Sequence, residues 1–301
     1  MRPAVDHYLA MRHAAGFDLV NAEYLLRSFA GLATARGETH VQAAMAIEWA
    51  SRGPSVAQRD ERLKTICRFA RFMRAEDGRH EVPPSDHFGS HKRRRVPHLY
   101  SPADITRLIA AARQLGPPER LLPHTYATLI SVLAATGLRI SEALTLQVSD
   151  VTLSGLVIRK AKFQKTRLVP LHDTAQAGVD RYLGHRRHAV SHDARVFLSD
   201  DGQPLRYRDV YRTFQTLVKR AGLAPASGHR RRLHELRHTF AVRALEASPA
   251  GRARIGQHMV ALATYMGHVN ICATYWYLDT TPELLREIAT AGEAFLNGGQ
   301  R

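Results

Sequence analysis

Apolar and polar positions along this chain repeat with a helical period almost from end to end. Tyr8, Leu9 and Met11 open an amphipathic turn that Gly16 interrupts, and Leu19, Tyr24, Leu25, Phe29 and Leu32 resume the spacing. Residues 41–50 and 56–73 predict two more helices. The second sets Leu63, Ile66, Phe69, Ala70 and Met73 on one stripe. It sets Arg59, Arg62, Lys64, Arg68, Arg71 and Arg74 on the other. Over 81–99 the texture changes: Pro83, Pro84, Gly89 and Pro97 forbid a continuous helix, and Lys92, Arg93, Arg94 and Arg95 form a basic run. The pattern predicts a helical domain over 1–90, a basic linker over 91–98 and a second domain over 99–301.

The second domain opens on a helix start, with Ser101 at the cap, Pro102 in the first helical position and Asp104 in the first turn. A mostly apolar helix over 124–136 ends at Gly137, and a short one follows over 140–146. Residues 156–160 and 166–171 predict two strands joined by a tight polar segment, and helices follow over 175–189, 207–221, 233–247, 255–266 and 283–296. The fold class is mainly α, with an α+β second domain built around a small antiparallel hairpin. The longest apolar stretch, 127–138, is too short to cross a bilayer. The N-terminus lacks the apolar core of a secretion signal, and two cysteines, Cys67 and Cys272, make no disulfide framework. A cytoplasmic protein with no membrane association is expected.

Charge narrows the function. Forty-three basic and 27 acidic residues leave a net charge of +16, which favours a polyanionic partner through counterion release. Arg62, Arg68 and Arg71, the linker residues Lys92 to Arg95, Lys165 and Arg167 beside the hairpin, and Arg230 and Arg231 before the 233–247 helix are candidate DNA contacts.

The candidate chemistry concentrates between His234 and Tyr277. The segment HELRH fits the helical zinc pattern H-E-x-x-H, but no third ligand follows and a peptidase has no use for the positive charge. Read otherwise, His234 and Arg237 are neighbours on one face near a helix N-terminus, a seat for phosphate. Gly137 and Ile140 bracket Arg139 at a corner where its guanidinium can fork onto phosphate oxygens, and Glu142 lies one turn on to orient it. A lysine at the hairpin tip can protonate a leaving alkoxide, although spacing alone does not choose among Lys162 and its close rivals Lys160, Lys165 and Arg167. Tyr275 and Tyr277 both offer a phenol.

Together these segments resemble the tyrosine recombinase (integrase) family. The resemblance rests on TGLRISEAL, KFQKTRLVPL, HELRH, MGH and the tyrosine nine residues beyond His268. It implies a catalytic set of Arg139, Lys162, His234, Arg237, His268 and Tyr277, supported by Glu142. The implied reaction is site-specific breakage and rejoining of double-stranded DNA through a 3′-phosphotyrosyl link, with no metal and no cofactor. It further implies a C-shaped clamp of two domains around DNA. A homotetramer, with or without related recombinases, would assemble there through a tail helix over about 282–296. A mobile-element role is expected. Three departures stand out. Ala161 and Phe163 replace the glycines that usually flank the lysine, Asp279 stands where a histidine is common, and 248–257 forms an added loop. Two rivals remain: a non-catalytic DNA-binding protein on this fold, and a strand-relaxing type IB topoisomerase.

Overall fold

The computed structural model describes residues 1–89, 96–159, 166–188, 193–225, 230–247, 252–267 and 274, with backbone alone for 252–255. The chain divides into two compact units, Met1–Arg95 and Val96–Arg301.

In the first unit four helices, α1 (Arg2–Ala14), α2 (Val20–Ala35), α3 (Ala43–Ser51) and α4 (Val56–Glu76), bury one shared core. Helix α1 begins well before Tyr8, because Pro3 sits in the first turn, where its missing N–H costs nothing. Tyr8 meets Phe69 edge to face at 5.5 Å, Phe29 meets Trp49 at 5.6 Å, and Leu26, Leu63 and Ile66 fill the centre. The segment after α4 returns to cap α3: Glu81 Oε2 accepts the Ala43 amide at 2.7 Å, and the Val41 amide donates to His80 Nδ1 at 3.1 Å.

The second unit is built on α6 (Leu121–Thr136), which packs against α5 (Pro102–Arg113), α8 (Asp173–Arg186) and α10 (His234–Glu246). Ser101 and Asp104 close a reciprocal capping box at the start of α5. Helix α7 (Ile140–Thr145) leads through a 3-10 turn into an antiparallel sheet, β1 (Val151–Thr152), β2 (Gly155–Ile158) and β3 (Arg167–Val169), in that order. The pairing of Leu156 with Val169 and Ile158 with Arg167 turns Leu156, Ile158 and Val169 into the core. The sequence pattern missed β1. Helix α9 (Tyr207–Arg220) covers the core through Val210, Phe214, Leu217 and Val218. Helix α11 (Arg252–Met266) packs on α10 through Met259, Leu262 and Met266. It starts inside the stretch expected as an added loop, so residues 252–257 are its first turns. Among the described residues no helix is long and apolar enough to cross a membrane.

Candidate active site

The end of α6 and the starts of α7, β3 and α10 meet the C-terminal end of α11. Gly137 ends α6 in the left-handed region at φ 60°. Its carbonyl accepts Arg237 Nη1 at 2.6 Å, while Arg237 Nη2 donates to the Met266 carbonyl at 2.7 Å. Arg237 is only 2% exposed, so these carbonyls hold a covered guanidinium.

Arg139 is the N-cap residue of α7 and Glu142 its third residue. The Arg139 amide donates to Glu142 Oε2 at 2.9 Å and its Nη1 to Oε1 at 2.8 Å. From β3, Arg167 sends Nη1 to Oε1 at 3.0 Å and Nη2 to Oε2 at 2.9 Å. Burial pushes the Glu142 pKa up, but the bonds from Arg167 and then Arg139 outweigh it and leave the carboxyl below its usual range. Arg139 Nη2 reaches the Gly267 carbonyl at 3.1 Å and Arg167 Nε the Tyr265 carbonyl at 2.9 Å. Three successive carbonyls, of Tyr265, Met266 and Gly267, therefore hold Arg167, Arg237 and Arg139. Carbonyls at a helix C-terminus lack intrahelical partners and carry the negative end of the dipole, so arginines collect there.

His234 opens α10 beside this cluster. The residue is exposed overall, but protein crowds its ring. That crowding, then the charges of Arg237, Arg139 and Arg232, pushes its pKa down to about 4. His238, edge to face with it at 4.8 Å, is also pushed to about 4, by burial first and then by His234. Both rings are therefore neutral at pH 7 and only weakly basic.

Of the zinc pattern, Glu235 is buried, with its Oε2 accepting the Arg232 amide at 3.1 Å. Among the described residues the one trio at metal-ligand spacing is His40, Asp77 and His80, in the first unit. There His80 Nδ1 accepts the Val41 amide, which leaves the ring proton on Nε2, the reverse of a ligating histidine that donates through its second nitrogen. Asp77 is already engaged by Arg79 and by His40. The trio reads as a polar clasp between the start of α3 and the end of α4.

The structure thus brings together Arg139, Glu142, His234 and Arg237. Lys162, His268 and Tyr277 lie outside the described residues, as do Lys92, Arg93, Arg94, Arg95 and Lys165. Two of the expected DNA contacts have partners within the protein. Arg167 faces inward, its side chain 11% exposed and all three guanidinium nitrogens bonded within the unit. Arg62 does not share an outer face with Arg68 and Arg71, because its guanidinium lies 4.0 Å over the Trp49 ring. Arg68 and Arg71 are exposed, although Arg68 also bonds Glu61 at 3.2 Å. Arg230 is exposed, and Arg231 is half-buried with Nε on the Leu223 carbonyl at 3.2 Å. The sequence reading missed one basic face: Arg208, Arg212 and Lys219 stand exposed along α9, with Tyr207 stacked on Tyr211. The signal was present, since α9 is strongly amphipathic and its polar side is mostly basic.

Residues 100–283 match the model of the phage integrase family. The chain is 38% identical over 300 residues to y4rB of Sinorhizobium fredii, described as an integrase/recombinase, covering 95% of each chain. It is 28% identical over 242 residues to the tyrosine recombinase XerD of Oceanobacillus iheyensis, covering 78% of this chain and 75% of that one. Among solved structures, the Tn1549 transposon integrase in complex with transposon right end DNA superposes with a TM-score of 0.65 at 19% identity. The match covers 91% of this chain and 94% of that one. A lambda integrase dimer bound to a core site gives a TM-score of 0.60 at 17% identity, over 90% of this chain and 96% of that one. With a family model matched over 100–283 and a relative 38% identical across 95% of each chain, the chain belongs to the phage integrase family of tyrosine recombinases.

Proposed function

We propose that this protein is a site-specific recombinase that cuts and rejoins double-stranded DNA through a 3′-phosphotyrosyl intermediate, in the service of a mobile element. The observation that carries the reading is the gathering of Arg139 and Arg237 beside a neutral His234, on a frame of helix-end carbonyls. Such a frame holds positive charge where a phosphodiester would place its nonbridging oxygens. The Tyr277 phenol attacks phosphorus, its proton passes towards His234, and Lys162 protonates the departing 5′-oxygen. Arriving phosphate brings negative charge among the guanidinium groups, which raises the His234 pKa from about 4 towards the range where a base works best. Arg237, being covered, touches the phosphate only once the atoms over it give way. His268 adds a hydrogen bond to the same phosphate.

The covalent link conserves the energy of the broken bond, so rejoining needs neither metal nor nucleotide. Arg68, Arg71, Arg230, the linker run Lys92 to Arg95 and the basic face of α9 hold the flanking backbone. The two-unit clamp, a tetramer on DNA and tail exchange over 282–296 belong to the same proposal, as does a cytoplasmic location.

A supercoiled plasmid bearing two copies of the DNA that flanks the gene separates the readings. Deletion circles are the expected product. Relaxed topoisomers without recombinants would favour the topoisomerase reading, and tight binding with neither product would favour a non-catalytic DNA-binding protein.

A further inference from the structure

Arg167 has no place in the chemistry just described, yet it is among the most fully engaged side chains of the second unit. Its three nitrogens satisfy both oxygens of Glu142 and the Tyr265 carbonyl. Packing closes around it, since a Cβ built on Gly267 would lie 2.7 Å from its Nη1 and 2.9 Å from its Cζ. Lysine cannot replace such a fork, because an ammonium is a point donor and three acceptors here lie in different directions.

The sharing of Glu142 gives this engagement a consequence. Each carboxylate oxygen is divided between Arg139 and Arg167: Oε1 takes both Nη1 groups, and Oε2 takes the Arg139 amide and Arg167 Nη2. Two guanidinium groups and one carboxylate leave a net charge of 2 − 1 = +1. Without Arg167 the sum is 1 − 1 = 0, and the carboxylate is free to close on Arg139 alone. Arg139 is the less covered of the two arginines, 28% exposed against 11%, and so the one that can meet a ligand.

We propose that Arg167 is a positioning residue. It keeps Glu142 from neutralising Arg139, and it ties the placement of Arg139 to the seating of α11, the helix whose end leads in sequence to His268 and Tyr277. The inference rests on the recombinase reading above. Arg167 never touches the DNA; it acts through Glu142 and through the Tyr265 carbonyl.

The experiment measures the rate of covalent adduct formation by the full chain on nicked duplexes drawn from the DNA flanking its gene. The duplexes are made with either a normal or a methylphosphonate linkage at the scissile position. The methylphosphonate removes one nonbridging charge, and with it the need for surplus positive charge in the site. Arg167→Met is expected to slow the normal duplex on the order of 10²-fold, the scale of a lost charge-stabilising donor. It should slow the methylphosphonate duplex by only a fewfold. Because a lone Glu142 left buried by Arg167→Met can unfold the unit, Glu142→Gln/Arg167→Met is run beside it with thermal melts. That pair restores the +1 charge on Arg139 and is expected to fold and to outpace Arg167→Met on the normal duplex. Arg167→Lys should fall between wild type and Arg167→Met.

Equal losses on both linkages would reduce Arg167 to a structural residue and overturn the inference, as would no loss at all or a double variant slower than the single. Wild type forming no adduct on any duplex would instead sink the recombinase reading, and this inference with it.

Discussion

Alanine at position 137 carries two separable penalties. The residue sits at φ +60°, and a side chain held in the left-handed region costs roughly 1–2 kcal/mol. The added Cβ would also lie 2.5 Å from Phe240 Cδ1, 3.0 Å from its Cγ and 3.1 Å from Met266 Sδ. Relieving that overlap means moving a packed ring between α6, α10 and α11, a repacking worth about 1–3 kcal/mol. Together they predict a loss of roughly 2–5 kcal/mol, which for a unit of this size lowers Tm by about 4–20 °C. Gly222 supplies the control. Its φ is +68°, but a Cβ there meets nothing closer than Arg107 Nη1 at 3.9 Å. Gly222→Ala should therefore show the backbone penalty alone, about 1–2 kcal/mol. Thermal melts of the two variants by circular dichroism, followed by scanning calorimetry, measure the difference. Equal shifts would refute the reasoning, because the close packing of Phe240 and Met266 over Gly137 would then be absent.

Acid should weaken the fold through the paired histidines. His234 and His238 titrate near 4 when folded, against 6.5 for an unperturbed ring, so the unfolded chain binds more protons between these values. Stability is complete above about pH 6.5 and falls as pH drops towards 4; His238→Asn should flatten the Tm-against-pH curve in that window. On the first unit, Arg68→Gln with Arg71→Gln should reduce the slope of log K against log salt for duplex binding by about 2, near one per phosphate contact. Arg62→Gln should leave that slope unchanged and cost about 0.5–1 kcal/mol of stability from the lost Trp49 contact, read by urea titration.

What the letters revealed and what they hid divide along physical lines. The helices were legible because each buries a stripe that repeats at helical spacing, as Leu63, Ile66, Phe69 and Met73 do on α4. Strand β1 has two residues and no period to read. The corner at Arg139 could be placed because Gly137 marks a helix end and Glu142 lies one turn on. Its frame could not, since the acceptors are backbone carbonyls at 265–267, and carbonyls carry no residue identity. Gly267 was the one hint, and it marks a turn rather than an arginine. Arg167 and Arg62 show the matching gap. Periodicity assigns a side chain to a face, but it does not say whether a long cation reaches out to solvent or folds back onto a carboxylate or an indole. Where the other arginines of the boxes face depended on which helix ends they met, a tertiary fact.

The most direct test of the central claim is the trapped intermediate. A duplex from the gene's own flank, carrying a bridging phosphorothiolate at the scissile position, is incubated with wild type, Tyr277→Phe and Tyr275→Phe and run on a denaturing gel. The account predicts a covalent protein–DNA adduct with wild type and with Tyr275→Phe, and none with Tyr277→Phe. An adduct that survives in Tyr277→Phe, or one lost only in Tyr275→Phe, would contradict it.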